Sequence, residues 1–308
     1  MRFFVPCNYS ISKKMIEFQF YDHSNQCQRL FHGRGHAYED LSHVNIDWFA
    51  PVVLITLYQE VTEDWLSSLV EDIRAQINDC KSIQVQYRCR QQAPIETLWG
   101  ETITDLVVSE NQMKFAISLG KAQNHGLFLD MKNGRNWLMQ RANGKRVLNL
   151  FAYTCAFSVA AIEGGAEKVV NIDMSKSSLA KGRENHKLNE HDLSKVKFEG
   201  VDIFKSYSRL KKHGPYDILV CDPPSFQKGS VNIERDYKKI IKRIPELLTP
   251  SSDVLLCLNS PDLDEAFLLA EVARECPECV FQGKVENPEV FKEAHQGKGL
   301  KALHFIYK

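Results

Sequence analysis

The sequence has no long hydrophobic run. Its longest apolar stretch, Trp48 to Tyr58, contains Pro51 and is far shorter than the roughly 20 apolar residues that a membrane-spanning helix needs. The N-terminal region shows no short apolar core followed by a small-residue cleavage site. The nine cysteines follow no repeated spacing, which favours reduced thiols over a disulfide framework. These features predict a cytoplasmic protein with no membrane partner.

An excess of charge of either sign is also missing. The chain has 39 lysines and arginines and 39 aspartates and glutamates, so its formal net charge is zero. This argues against a broad, non-specific hold on nucleic acid, which needs many phosphate contacts, but it permits a local basic patch. With 308 residues, 44% hydrophobic, the chain is long enough for one large domain or two.

Residues 146–226 carry the strongest pattern. Apolar runs at 146–151, 169–173 and 217–221, with a weaker one at 199–204, each end in a turn that carries an acid or a helix-capping residue. Helix-like stretches separate them. This alternation predicts an α/β fold with a mostly parallel, doubly wound sheet, whose ligands bind at the carboxyl ends of the strands.

The first hundred residues predict a smaller α+β module. Val52 to Tyr58 has the pattern of a buried strand, Thr62 that of a helix N-cap, and Ser82 to Tyr87 that of a half-buried strand, whereas residues 31–47 suggest a loop. We therefore expect an N-terminal accessory domain over residues 1–104 and a second domain, introduced by a hairpin, over residues 105–308. The module either positions a substrate or only covers the sheet. For the run from His32 to His36, a surface loop is favoured over a metal site, and no metal is predicted.

Four short motifs resemble a known family. They are Gly-Leu-Phe-Leu-Asp (126–130), Asn-Leu-Phe-Ala-Tyr-Thr (149–154), Asp-Met-Ser (173–175) and Asp-Pro-Pro-Ser-Phe (222–226). Their order and spacing are similar to those of class I S-adenosylmethionine-dependent methyltransferases. The likeness covers about residues 110–308 and extends in detail to the large-subunit rRNA methyltransferases of the K/L (guanine-N7) and I (cytosine-C5) types. It implies a Rossmann-like catalytic domain, S-adenosylmethionine as cofactor and RNA as partner.

The resemblance also implies a cofactor site. Its predicted residues are Phe128, Asp130, Arg135, Asn149, Phe151, Tyr153, Thr154, Asp173, Met174, Ser175, Asp202, Ile203 and Asp222. Asp173 ends the second strand, where an acid accepts hydrogen bonds from both ribose hydroxyls; its alternative is an acid at a helix N-terminus, since Ser175 and a helix follow. Asp202, after the third strand, is placed to accept from the adenine amino group; its alternative is an ordinary turn acid.

Two further positions leave alternatives open. Phe128 either packs on the cofactor or belongs to the core, and Arg135 either pairs with an acid near the cofactor or lies on the surface. Thr154 is expected to cap the helix whose first N–H groups face the methionine carboxylate. The family usually has glycine near Cys155 and Ala156, so a positive φ there would be strained.

The segment Asp222-Pro-Pro-Ser-Phe226 is the predicted chemical loop. Pro223 and Pro224 stiffen it and leave carbonyls free to accept from a base amino group, and Phe226 can stack on a flipped base. By resemblance, Asn259 occupies the position that holds a nucleophilic cysteine in the cytosine-C5 relatives, as in the guanine-N7 type. Cys257 is interpreted as core. We therefore expect direct in-line transfer to guanine N7 or a similar base nitrogen of large-subunit rRNA, without a covalent cysteine adduct.

Two other functions remain open at this point, a small-molecule methyltransferase and a catalytically inactive S-adenosylmethionine-binding protein. Lys238, Lys239, Lys242 and Arg243 share one face of a predicted helix, as either an RNA-facing patch or a solvated face. The sequence does not choose between a monomer and a homodimer.

Overall fold

The computed structural model describes residues 16, 18, 26–224, 226–227, 231–295 and 297–308. A five-stranded sheet with one helix forms the N-terminal part. Its elements are β1 (Gln28–His32), β2 (Val44–Phe49), β3 (Val52–Leu57), α1 (Glu63–Gln76), β4 (Ser82–Tyr87) and β5 (Ile95–Gly100). The strands lie in the order β1-β2-β3-β4-β5, and only β3 and β4 are parallel.

Several features of this part follow from its sequence. Thr62 caps α1 by accepting a hydrogen bond from the Trp65 N–H at 3.3 Å, as predicted. β4 was expected to be half-buried, and that prediction is wrong. Gln84 and Gln86 are also buried, because their amides donate to the carbonyls of Ile103 and Gln123 on the sheet's second face. Part of the predicted loop over residues 31–47 is likewise strand, since β2 begins at Val44.

The remaining elements build a hairpin and a second α/β layer. They are β6 (Asp105–Glu110), β7 (Met113–Ser118), α2 (Lys132–Met139), β8 (Arg146–Leu150), α3 (Ala156–Glu163), β9 (Lys168–Asp173), α4 (Lys176–Leu188), β10 (Val196–Gly200), α5 (Tyr207–His213), β11 (Tyr216–Cys221), β12 (Phe226–Gln227), β13 (Val231–Asn232), α6 (Ile233–Ile241), α7 (Ile244–Leu247), β14 (Leu248–Asn259), α8 (Glu265–Glu275), β15 (Cys279–Lys284) and β16 (Leu300–Tyr307). The predicted hairpin is confirmed, with a turn at Asn111 and Gln112.

The seven-stranded sheet has the order β10-β9-β8-β11-β14-β16-β15. The first five strands are parallel, and β16 and β15 are antiparallel to their neighbours. This is the doubly wound α/β fold that the sequence predicted. Chain order reverses between β8 and β11, and ligands of such sheets bind in the crevice outside the strand ends at that point.

Hydrophobic clusters cover both faces of this sheet. On β8, Leu148 joins the cluster that includes α6 and α8, whereas Val147 joins the one formed with α2 and α3. A further cluster contains Phe49 and Leu54 of the N-terminal sheet together with Val159 and Ala160 of α3. The N-terminal sheet and α3 therefore belong to one hydrophobic cluster, which also includes residues of the hairpin such as Phe115. Among the described residues, no helix combines the length and apolarity of a membrane span.

Candidate active site

The carboxyl ends of the parallel strands surround a cavity of about 500 Å³. Most of the residues predicted for the site line it. They are Phe128, Asp130, Arg135, Phe151, Tyr153, Thr154, Asp173, Met174, Ser175, Asp202, Ile203, Asp222, Pro223, Pro224 and Asn259. This volume falls in the range of small-molecule and cofactor sites, roughly 300–1,000 Å³.

Two predicted residues are placed differently. Asn149 is buried in β8 and is not part of the lining; its side-chain amide donates to Asn171 Oδ1 on β9 at 2.9 Å. The Asn171 amide in turn donates to Ser158 Oγ at 2.9 Å, so this polar pair ties two strands to α3. Phe226 lies in β12 opposite Asn232, and its side chain is outside the described part of the chain.

The loop between β8 and α3 has an unusual backbone. Phe151, Tyr153 and Cys155 have positive φ values of 57°, 45° and 60°, in the region that glycine normally occupies. Such conformations cost on the order of 1–3 kcal/mol each and persist only where the surroundings enforce them. The sequence already indicated the conflict at Cys155.

Thr154 does not cap α3, so that prediction is wrong. The helix begins at Ala156 with Cys155 as its N-cap residue, and no side chain caps it. The Thr154 hydroxyl instead donates to the Gly126 carbonyl at 2.6 Å. Because Cys155 takes the left-handed conformation, the chain enters the helix one residue later than a threonine cap would allow. Thr154 therefore joins the loop to the 126–130 segment.

Asn185 and Gly182 of α4 contact the loop between β8 and α3. The Asn185 amide donates to the Thr154 carbonyl at 3.0 Å, and its oxygen accepts from the Ala116 N–H at 2.9 Å. Gly182 lets α4 approach closely, because a Cβ built there would lie 2.3 Å from Cys155 Sγ. The sequence analysis missed both. Their only local signal is that Asn and Gly favour a helix interior less than most residues do.

Asp173 sits at the tip of β9, on the cavity wall. Its Oδ2 accepts from the Tyr153 N–H at 2.8 Å and its Oδ1 from the Ser175 N–H at 2.7 Å. Ser175 then caps α4 by accepting from the Ser178 N–H at 3.2 Å. A carboxylate has about four acceptor positions, so two remain after these bonds. Asp173 is thus held rigidly and still has acceptor capacity toward the cavity.

Asp202 has a similar position after β10. It caps a short 3-10 helix by accepting from the Phe204 N–H at 2.9 Å, and Lys205 Nζ lies 3.6 Å from its other oxygen. Asp202 is therefore both a turn acid and a cavity residue. Phe204 also lines the cavity, although the sequence analysis did not select it.

Arg135 does not lie on the surface, and Phe128 does not belong to the core. Arg135 is buried and forms two hydrogen bonds to Glu110, of 2.6 and 2.7 Å, plus a third to the Phe128 carbonyl at 2.9 Å. Phe128 is 45% exposed, so it is not a core residue; its ring centroid lies 5.5 Å from that of Tyr153. The acid that pairs with Arg135 is therefore Glu110 of the hairpin, which no local pattern indicated.

Two carboxyl groups interact across the cavity. Burial raises the pKa of Asp222 to about 7; the negative charge of Asp130 raises it further, and Arg135 opposes both effects. Burial also raises the pKa of Asp130, against the influence of Arg29 and Arg135. Two half-buried carboxyl groups with raised pKa values mark a site that a cationic group would stabilise.

Tyr237 joins the tips of β11 and β14. Its hydroxyl donates to the Cys257 carbonyl at 2.8 Å and lies 3.3 Å from the Cys221 carbonyl. β14 continues past this link to Asn259, which lines the cavity beside the Asp222-Pro-Pro segment, whereas Cys257 is fully buried. Tyr237 is buried in the core, and no local sequence signal indicated that its hydroxyl would contact both β11 and β14.

A doubly wound sheet with acids at the ends of β9, β10 and β11 is typical of proteins that bind a nucleoside-containing cofactor at the switch point. A family model described as S-adenosylmethionine-dependent methyltransferase matches residues 28–306. The chain belongs to this family, and the model spans both the N-terminal sheet and the seven-stranded sheet.

Two curated relatives and one solved structure are similar to the chain. Ribosomal RNA large subunit methyltransferase K of Neisseria meningitidis serogroup B is 34% identical over 76% of this chain and 67% of its own. Ribosomal RNA large subunit methyltransferase I of Aeromonas salmonicida is 34% identical over 57% of this chain and 46% of its own. The crystal structure of SMU.776 complexed with SAH superposes with a TM-score of 0.83 at 26% identity, over 92% of this chain and 76% of that one. The chain spans about half to two thirds of the length of the curated relatives it matches.

Proposed function

We propose that this protein transfers a methyl group from S-adenosylmethionine to a base nitrogen, guanine N7 or a similar one, of large-subunit rRNA. The observation that carries the proposal is the convergence of Asp173, Asp202, Asp222 and Asn259 on one cavity at the switch point of the sheet. The names of the curated relatives support RNA as the substrate. Such a reaction takes place in the cytoplasm.

The cavity residues fit the cofactor. Asp173 has two free acceptor positions for the ribose hydroxyls, and Asp202 with Ile203 and Phe204 offers an acidic and apolar wall for the adenine. The exposed ring of Phe128 beside Tyr153 provides an apolar surface. Asp130 and Asp222 favour a positive charge near them. The cofactor supplies a methyl group activated on a positively charged sulfur; the protein's contribution is binding and alignment.

Direct transfer fits the surroundings of the cysteines. None of the described residues that line the cavity is a cysteine. Burial raises the pKa of Cys257 well above its ordinary value, and the nearby Asp222 raises it further, so a thiolate is disfavoured there. Asn259 is the exposed residue at that strand tip. The backbone carbonyls next to Pro223 and Pro224 are then available to orient the base.

We also propose that residues 1–104 form an accessory domain and residues 105–308 the catalytic domain. The cluster that joins Phe49 and Leu54 to α3 supports a fixed arrangement of the two. Arg29 and His32 of β1 act electrostatically on Asp130, so the N-terminal sheet reaches the cavity's surroundings. A role in positioning substrate is therefore preferred to one of merely covering the sheet.

The test supplies the protein with labelled S-adenosylmethionine and large-subunit rRNA transcribed in vitro. We expect label in the RNA at one position, at a nitrogen of a purine. Label at cytosine C5, or a trapped protein–RNA adduct, would contradict direct transfer. If calorimetry shows cofactor binding but no label is transferred to RNA, the remaining functions are a small-molecule methyltransferase and an inactive S-adenosylmethionine-binding protein. Asp222→Asn is the matched variant, in which turnover should fall by a larger factor than the affinity for S-adenosylmethionine.

A further inference from the structure

One part of the surface carries a strong excess of positive charge. Residues 203–213 and 232–247 contain nine lysines and arginines but only three acids, in a chain whose overall charge is balanced. They belong to the short 3-10 helix Ile203–Lys205 and to α5, α6 and α7. We call this the α5–α7 basic surface.

Because α6 is amphipathic, its lysine side chains lie on its solvent-exposed face. Its apolar residues Ile233, Tyr237 and Ile240 are buried in the core beneath the seven-stranded sheet, so the opposite face is exposed. Lys238 and Lys242 lie on that exposed face. Neither forms a salt bridge with a described residue, so both ammonium groups are available to an external anion.

Two of the three acids of the α5–α7 basic surface are already neutralised. Asp236 is buried and pairs with Arg235 at 2.8 Å and Lys239 at 2.7 Å, and these bonds lower its pKa. Glu246 pairs with Lys211 of α5 at 2.7 Å and with Arg243 at 2.5 Å. The Lys211–Glu246 pair joins α5 to α7, and the Tyr207 hydroxyl of α5 donates to the Lys239 carbonyl of α6 at 3.3 Å, so the three helices form one continuous surface. The third acid, Glu234, is exposed, and the remaining charge of the surface is predominantly cationic.

This surface reaches the rim of the cavity. Lys239 Nζ lies 5.7 Å from the ring centroid of Phe204, and Phe204 lines the cavity. Along the chain, α6 begins only nine residues after Pro224 of the chemical loop. A polyanion bound on α6 would therefore pass beside the place where the base is methylated.

We propose that the α5–α7 basic surface binds the phosphate backbone of the substrate RNA next to the methylated nucleotide, which rests on the function proposed above. Phosphate contacts by lysine and arginine position a nucleic acid without reading its sequence. A membrane surface is less suitable, because interfacial helices insert exposed apolar residues, and none of the large exposed apolar side chains among the described residues lies on these helices. Outside this surface the acids outnumber the lysines and arginines by 36 to 30, which confines phosphate binding to it.

The test compares two double substitutions of equal charge change in the full-length protein. Lys238→Gln/Lys242→Gln alters the α5–α7 basic surface. Lys145→Gln/Lys195→Gln is the control, because these exposed lysines directly precede β8 and β10, at the amino ends of the strands, whereas the cavity lies at the carboxyl ends. The affinity for in-vitro-transcribed large-subunit rRNA is measured over a series of KCl concentrations, and the affinity for S-adenosylmethionine by calorimetry.

For the α6 double variant we expect Kd for the RNA to rise about tenfold and the slope of log K against log[KCl] to fall by roughly 1.4–1.8, the value for two lost phosphate contacts. Cofactor affinity and the control variant should match the parent. Equal slopes in all three proteins would overturn this inference while leaving the methyltransferase proposal intact. Binding to phosphatidylserine vesicles that depends on Lys238 and Lys242, without such dependence for RNA, would overturn it too. A parent that binds the cofactor but neither binds nor methylates RNA would defeat both proposals.

Discussion

The guanidinium of Arg135 forms a bidentate ion pair with the carboxylate of Glu110, and both side chains are buried. The pair joins α2 to the turn of the hairpin, and a third bond from Arg135 fixes the Phe128 carbonyl. Arg135 also lowers the pKa of Asp222 and Asp130 against the effect of burial. One ion pair therefore sets both the shape and the charge of this side of the cavity.

Glu110→Gln should destabilise the protein and weaken cofactor binding. Removing one partner of a buried pair leaves an unpaired charge and costs about 3–5 kcal/mol. Urea unfolding should show a loss of this size, and calorimetry a decrease in S-adenosylmethionine affinity. The control is Asp105→Asn in the same hairpin, whose ion pair with Lys121 is exposed and should contribute little. Similar small effects of both substitutions would contradict the role assigned to the buried pair.

Asp173→Asn should lower the affinity for S-adenosylmethionine about a hundredfold. Two hydrogen bonds to a charged acceptor, each contributing about 1.5 kcal/mol or more, would be weakened together. Asp192→Asn is the matched control, because Asp192 caps a 3-10 helix through the Ser194 N–H at 2.9 Å but does not line the cavity. Calorimetry measures both. Unchanged affinity in Asp173→Asn would remove the assignment of Asp173 to the ribose.

The strand-tip residues were predictable because their signals are local. Three of the four apolar runs end in an acid, and the parallel alternation brings the carboxyl ends of the strands together, so the positions of Asp173, Asp202 and Asp222 follow from sequence alone. Glu110 and Asn185 do not. Glu110 meets Arg135 only because the hairpin folds over α2, and Asn185 meets Thr154 across 31 residues. No local pattern carries such pairings.

The two predictions that were wrong, for Thr154 and for the strand Ser82–Tyr87, also have physical explanations. Thr154 has good capping chemistry, but the left-handed conformation of Cys155 shifts the helix start. The strand Ser82–Tyr87 alternates as a half-buried strand does, yet its second face is covered by carbonyls of residues 103 and 123. In both cases a tertiary contact outweighs a local preference.

The raised pKa of Asp222 makes the stability of the cofactor-free protein depend on pH. The folded state holds the Asp222 proton up to about pH 7, whereas the unfolded chain loses it near the ordinary value of 3.8. The contribution of Asp222 to stability is therefore full below about pH 4 and is lost as the pH rises through 7. Asp222→Asn avoids this loss. Its Tm should exceed that of the parent by about 2–4 °C at pH 8, if roughly 1 kcal/mol is recovered, and match it at pH 4.

Scanning calorimetry at the two pH values checks this expectation. Asp192→Asn serves again as control, because it changes an acid that lies outside the cavity. A stabilisation by Asp222→Asn that is equal at pH 4 and pH 8 would show that charge on Asp222 is not its cause.

The same proton should couple to cofactor binding. S-adenosylmethionine carries a positive sulfonium that SAH lacks, and a positive charge near Asp222 and Asp130 favours the ionised carboxylates. The affinity for S-adenosylmethionine should therefore rise between pH 6 and pH 8, while the affinity for SAH changes less. Calorimetric titrations across this range measure both. Identical pH profiles for the two ligands would place the sulfonium away from Asp222.

The contact between Cys155 and Gly182 offers a test of the loop that shapes the cofactor site. Gly182→Ala alone should destabilise the protein by about 1–3 kcal/mol, because its Cβ would lie 2.3 Å from Cys155 Sγ and 2.8 Å from Cys155 Cβ. This clash opposes the preference of about 1 kcal/mol for alanine over glycine inside a helix.

Cys155→Gly removes both clashing atoms and also relieves the positive φ of 60° at that position. In the double variant the new Cβ would be 3.2 Å from the Thr154 carbonyl, a contact that a few tenths of an ångström of movement relieves. The double variant should therefore be more stable than Gly182→Ala by at least 1 kcal/mol, with a favourable coupling in a double-mutant cycle measured by urea unfolding. Strictly additive effects would mean that the close approach of α4 does not enforce the strained loop, and that its conformation is held by the bonds of Thr154 and Asp173 alone.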